Sequence, residues 1–214
     1  MRIAFIGQGQ VGAPLADRLQ RADHAVTLAA RDPASARVQA LRARNPALQV
    51  APPAVAVAAA DLVFLATPFA ANEAAVRPLA AELAGKVLVD CTNPVGPGLT
   101  HALGSASSGS AQLQRWLPAT RVVKSFSIYG YENLEAEPFP GAPLRPLMMV
   151  AGDDADARRA VATLAADLGF EPLDVGGIVQ ALPMEHLTLL WIRLVRAGGR
   201  SPHLAWSLLD RGAP

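Results

Sequence analysis

The run Arg2-Ile3-Ala4-Phe5-Ile6-Gly7-Gln8-Gly9-Gln10-Val11-Gly12 joins a short apolar stretch to three glycines spaced G-x-G-x-x-G. An apolar run stopped by glycine predicts a strand and a tight turn. Val11, Leu15 and Leu19 then recur at helical spacing and predict a helix over 11–22. In that setting Gly7 permits the turn, Gly9 lets a pyrophosphate approach the backbone, and Gly12 lets the helix pack close to the strand. The helix N-terminus, with free N–H groups and the positive end of the dipole, suits a diphosphate. Alone, the motif could be only a glycine-rich turn. The strand before it, the helix after it and a second apolar run at 25–29 favour dinucleotide binding.

Working outward, further short apolar runs occur at 62–66, 86–90, 121–126 and 147–151, separated by helical patterns such as 71–83. Runs apolar on both faces are what a parallel sheet covered on both sides requires. Asp32-Pro33 predicts an N-cap and a first helical proline, and Asp153 the N-cap of a helix to Leu168 ended by Gly169. A last strand is expected at 171–174. Segments 104–110 and 138–146 read as irregular connections. The expected fold is α/β: a Rossmann-type, doubly wound parallel sheet over 1–175 with a small C-terminal helical appendage over 176–214. That appendage reads as two helices, 178–196 and 201–210, that close the cleft or form a dimer interface.

Length and composition agree. The 214 residues are 51% hydrophobic and 17% charged, enough apolar surface for one domain and an appendage, and too much for a disordered chain. Nineteen basic residues against 18 acidic leave a net charge of +1, so no global field draws nucleic acid or an anionic membrane. Cys91 is the only cysteine, which excludes an internal disulfide and a cysteine-based zinc site and fits the cytoplasm. The opening apolar run is too short for a signal peptide, and Glu185, His186 and Arg193 interrupt the most apolar later stretch, so no membrane span is expected.

Ligands in open parallel sheets bind beyond the carboxyl ends of the strands. Where an NAD site carries an acidic residue after the second strand, this chain reads Ala29-Ala30-Arg31. Small residues leave room for a 2′-phosphate and Arg31 can meet it with a charge-assisted fork, so NADP(H) is expected over NAD. A surface arginine in solvent is the blander alternative. Thr67-Pro68-Phe69 and Cys91-Thr92-Asn93-Pro94 end two further strands, and are either contacts for ribose, diphosphate and nicotinamide or ordinary turn residues.

Together these motifs resemble the deazaflavin-dependent NADP oxidoreductases, with the cytosolic domain of six-transmembrane metalloreductases as a relation. The matching segments are 3–12, Ala30-Arg31, 66–69, 89–94, 121–126, 150–154, 169–176 and 187–193 around Trp191. The resemblance implies NADP binding by the N-terminal part, and a C-terminal part closing the cleft where a second redox partner stacks on the nicotinamide. Where many relatives read Lys-Ala-Phe-Asn-Thr, this chain has Lys124-Ser125-Phe126-Ser127-Ile128, then Tyr129-Gly130-Tyr131. The resemblance puts Ser127, Ile128 and Tyr129 beside the nicotinamide, and the change leaves the electron acceptor open.

The inventory also excludes mechanisms. The only tyrosines, Tyr129 and Tyr131, have Asn133 and Glu135 four residues on, where a short-chain dehydrogenase needs lysine. No lysine follows Lys124, as β-hydroxyacid dehydrogenases require. A histidine-dependent acid/base mechanism survives only through His101, His186 or His203. Hydride transfer between flat rings, NADPH to a flavin or deazaflavin, needs little such machinery. Phe69, Tyr129, Tyr131 and the helix around Met184 to Trp191 are the candidates for the partner ring. Reduction of a small carbonyl or imine, and a non-catalytic NADP-binding sensor, are the alternatives. Leu187, Leu190, Trp191, Leu194, Leu204, Trp206 and Leu208 are more apolar surface than so short an appendage can bury, so a homodimer is expected.

Overall fold

The computed structural model describes residues 1–135, 139 and 143–211. Among these residues eight strands form one sheet: β1 (Arg2–Ile6), β2 (Ala25–Ala29), β3 (Gln49–Ala51), β4 (Leu62–Leu65), β5 (Val87–Asp90), β8 (Arg121–Lys124), β9 (Leu147–Gly152) and β10 (Glu171–Gly176). A small antiparallel pair, β6 (Val95–Gly96) and β7 (Thr100–His101), follows β5. The helices are α1 (Gly12–Arg21), α2 (Ala36–Arg44), α3 (Pro53–Ala59), α4 (Asn72–Val76), α5 (Ala80–Leu83), α6 (Gly109–Trp116), α7 (Ala155–Asp167) and α8 (Ala181–Ile192). The sheet order is β10-β9-β8-β5-β4-β1-β2-β3. Every pairing is parallel except β8 with β9, which share only two residue pairs.

This is the doubly wound Rossmann-type sheet that the apolar runs predict. Successive side chains alternate between two cores. Ile3, Phe5, Phe64 and Val89 go to one, Ala4, Ile6, Val63, Leu65 and Leu88 to the other. The first holds an aromatic column: Phe5 stacks on Phe64 at 4.6 Å, and Phe126 bridges to Phe170 at 6.5 Å.

Several expected elements differ. Ser201 to Asp210 is not a second helix. It crosses the protein as an irregular strap whose carbonyls are captured: Leu204 accepts from Trp191 Nε1 at 2.6 Å, Pro202 from Asn133 Nδ2 at 3.0 Å, and Trp206 from the Leu147 N–H at 2.8 Å. The Gly198-Gly199 break and Pro202 make a continued helix costly, and these tertiary bonds replace its ladder. The true cap of α7 is Asp154, whose carboxylate accepts from the Ala157 N–H at 2.7 Å; Asp153 accepts instead from the Ile178 N–H at 2.8 Å. Asp32 closes a turn on the Ala34 N–H at 2.9 Å, and α2 begins only at Ala36. The 71–83 pattern is split into α4 and α5 with a 3₁₀ turn through Pro78. Segment 104–110 is a loop only to Ser108, whose hydroxyl accepts from the Ala111 N–H and caps α6. The 138–146 connection falls largely outside the described residues.

Among the described residues one helix, Ile178–Ala197, is long and apolar enough to cross a membrane by length and composition. Here it docks on the sheet domain, with Ala181, Met184, Glu185, Thr188, Leu189 and Trp191 buried.

Candidate active site

The three glycines of the first turn fall into two kinds. Gly7 has φ +100°, and a Cβ there would lie 2.6 Å from the Ala66 carbonyl. A Cβ on Gly12 would lie 2.0 Å from the Gly7 oxygen. Both are required by the fold. Gly9 is different: a Cβ there would meet nothing within 4 Å. It lies three residues before α1, whose N-terminus has no side-chain cap among the described residues.

A cavity of about 310 Å³ opens at the ends of β1, β2 and β4. Gly7, Gln8, Arg31 and Thr67 supply its polar edge; Ala71, Ala74, Ala75, Pro78 and Leu79 make an apolar wall. Gln8 is held by donating to the Phe5 and Ala29 carbonyls at 3.1 and 3.0 Å, which ties the ends of β1 and β2 together. Arg31 is exposed and, among the described residues, makes no ion pair. A second recess of about 320 Å³ lies across the glycine turn, lined by Gly9, Gln10, Arg37 and Arg44. Val11 is half-buried, and Ala30 is a buried spacer whose N–H donates to Ala51.

Toward β5 and β8 the placement is mixed. Pro68 is exposed, and the Phe69 ring packs against Gly109, where a Cβ would come within 2.8 Å of it. Asn93 Nδ2 donates to the Ser127 carbonyl at 3.0 Å, and Pro94 is buried. Asn93 Oδ1 and Ser127 Oγ are buried and, among the described residues, have no hydrogen-bond partner. Buried polar atoms are ordinarily paired, so two such orphans side by side after β5 and β8 stand out.

Ile128 and Tyr129 do not line the crevice. Ile128 is fully buried, and Tyr129 donates its hydroxyl to the Leu147 carbonyl while its ring lies 6.2 Å from Phe170. Burial pushes the Tyr129 phenol far up and keeps it a neutral donor. The turn at Phe126, a non-glycine residue at φ +53°, folds this segment into the core. Met184 and Trp191 are likewise core residues, and the Trp191 ring covers Gly130. Of the candidates for a partner ring, Phe69 and Tyr131 keep partly exposed faces.

Beneath the crevice lies a network that sequence reading missed. Lys124 Nζ sits 3.4 Å from both Asp90 Oδ2 and Glu185 Oε1, all three side chains fully buried, and also donates to the Thr92 carbonyl. His101 Nε2 meets Glu185 Oε2 at 2.8 Å. Because His101 Nδ1 accepts from the Leu103 and Ser105 N–H groups, the ring proton belongs on Nε2 and the imidazole is neutral. Glu185 also accepts the Gly109 N–H at the start of α6, whose dipole favours the excess negative charge. The available signal was a lysine at the end of an apolar strand and a glutamate inside an apolar helix.

A profile of the family described as "NADP oxidoreductase coenzyme F420-dependent" matches residues 2–94. A crystal structure described as that of an F420-dependent NADP reductase from Arthrobacter sp. FB24 is 34% identical, with 93% of this chain and 95% of that one covered at a TM-score of 0.83. The chain belongs to the F420-dependent NADP oxidoreductase family. The F420-dependent NADP reductase of Methanothermobacter thermautotrophicus is 29% identical over 91% of this chain and 89% of its own. Rat Metalloreductase STEAP3 is 31% identical over 88% of this chain, which spans only 36% of that protein. Family membership agrees with an NADP-dependent oxidoreductase built on this sheet, and the expectation that Arg31 meets a 2′-phosphate has a direct test. Arg31→Ala is expected to weaken NADPH binding about 10- to 150-fold, the loss of roughly 1.5 to 3 kcal/mol for a hydrogen bond to a charged group, with NADH affinity unchanged. Titration calorimetry with both coenzymes checks this. Equal losses for the two would mean that Arg31 packs rather than pairs.

Proposed function

We propose that the chain transfers hydride between NADP(H) and a flavin- or deazaflavin-type ring bound on the nicotinamide side of the crevice. The carrying observation is how the titratable groups are used. Asp90, Lys124, Glu185 and His101 are all consumed by one another. What remains past β4, β5 and β8, away from Arg31 at the end of β2, is neutral or aromatic: Thr67, Phe69, Asn93 and Ser127. Such a site orients rings and excludes water, and it does not require a side chain to shuttle protons.

The residues present fit the coenzyme. Gly9 leaves its backbone open to a diphosphate, Arg31 fits a 2′-phosphate, and the unpartnered Asn93 Oδ1 and Ser127 Oγ fit a carboxamide, which offers both donor and acceptor. NADPH, when bound, supplies the hydride from its C4. With NADPH deuterated at C4 and a deazaflavin acceptor, the label is expected at a carbon of the reduced acceptor, read by mass spectrometry. Its appearance in water instead would sink direct transfer.

The reading includes a homodimer. Trp191 is spent inside the protein and Leu204 and Trp206 are half-buried, but Val179 and Leu190 on the last helix are 74% and 46% exposed. Sedimentation at micromolar concentration is expected to give a dimer, and a monomer would remove this part of the proposal.

A further inference from the structure

Asp90 ends β5 with both carboxylate oxygens occupied. Oδ1 accepts from the Thr92 N–H at 2.9 Å and the Thr92 hydroxyl at 2.7 Å; Oδ2 accepts from Ser110 Oγ at 2.5 Å and Lys124 Nζ at 3.4 Å. An ionised carboxylate only accepts, so the Thr92 proton is committed to it. Thr92 Oγ1 therefore has only lone pairs for its next neighbour, and Asn72 Nδ2 donates to it at 2.8 Å. That fixes which end of the fully buried Asn72 amide carries oxygen, an orientation otherwise open to choice. Asn72 Oδ1 then accepts from the Thr67 hydroxyl at 2.8 Å. At each link only one direction is left. Thr67, the last member, has given its proton to the interior and turns lone pairs alone to the cavity it lines.

We propose that Thr67 Oγ1 is an obligate acceptor that reads a ribose hydroxyl of the bound dinucleotide, its polarity set by Asp90 through Thr92 and Asn72. This rests on the NADP(H) reading above. The phosphates of a dinucleotide only accept, so Thr67 turns them away and leaves them to the N–H groups of the glycine turn. The donors on the molecule are ribose hydroxyls and the amino groups of the adenine and the carboxamide. The riboses flank the diphosphate directly, and Thr67 stands directly beside that turn: a Cβ on Gly7 would lie 2.9 Å from the Thr67 nitrogen. Asn72 and Thr92, both buried, act as positioning residues and touch no ligand.

Calorimetric affinities for NADP⁺ test this. Thr67→Val, which keeps the shape and drops the hydroxyl, is expected to weaken binding about 3- to 12-fold, and Thr67→Ser to stay within about 2-fold of wild type. Thr67→Ala, a second hydroxyl-free variant with no overpacking, is expected to match Thr67→Val. Thr92→Val frees the Asn72 amide to turn, so it should weaken binding without touching the ligand, and adding Thr67→Val to it should cost less than in wild type. The Thr67→Val loss should persist with analogues bearing hypoxanthine for adenine or acetylpyridine for nicotinamide. Disappearance with either one would move the donor to that amino group and overturn the ribose assignment. Thr67 variants that melt normally and bind like wild type would overturn the proposal and leave the NADP(H) reading standing. A wild type that binds no NADP(H) would overturn both.

Discussion

Gly9→Val is expected to abolish NADP(H) binding, by on the order of 100-fold or more, in a protein that still folds. The other two glycines of the motif could not give this result, because a side chain at Gly7 or Gly12 collides with backbone. At Gly9 a side chain meets open space, and the backbone does not need the left-handed conformation that would make valine strained. The new methyl groups occupy the approach of a diphosphate to the turn and the uncapped end of α1. A thermal melt close to wild type, together with no heat on NADPH titration, is the expected pair of results. A folded variant that binds NADPH normally would contradict dinucleotide binding at this turn.

Lys124→Met should be the most damaging of the single changes outside the crevice. The ammonium has three donors and three acceptors, Asp90, Glu185 and the Thr92 carbonyl. Methionine fills the space but leaves two buried carboxylates facing each other. Removing one partner of a buried ion pair typically costs about 3 to 5 kcal/mol, which for a chain of this size lowers the melting temperature by roughly 6 to 20 °C. Differential scanning calorimetry reads this directly. A fall of less than about 2 °C would mean that the cluster does little to hold α8 in place.

The strands β1, β2, β4, β5 and β9 were legible because each is an apolar run within a residue or two of its observed ends. β3 and α3 were not, since Gln49-Val50-Ala51 is too short to show a period and, after Pro53, 54–59 is alanine and valine on every side. The strap at 201–210 was misread because its leucines and Trp206 are helically spaced, whereas long-range bonds from Trp191, Asn133 and Leu147 decide its path. Gly7, Gln8, Gly9, Arg31 and Thr67 could be placed from sequence because glycine spacing and strand ends fix the backbone of the crevice. Tyr129 could not, since one left-handed residue at Phe126 turns its ring inward. The Asp90-Lys124-Glu185-His101 network was hidden for a related reason: its contacting pairs lie 34 to 84 residues apart in sequence.

Glu185 carries a consequence for how the chain is made. It is contributed by the last helix, yet it receives the N–H of Gly109, 76 residues earlier, and the ring of His101, 84 residues earlier. During vectorial synthesis the glycine turn and all the strands emerge first. Until α8 leaves the ribosome, Lys124 lacks one of its two counter-charges and the start of α6 lacks its anion. The nascent sheet can therefore form its backbone pairing early, while the charge balance beneath the crevice closes only when the last helix docks.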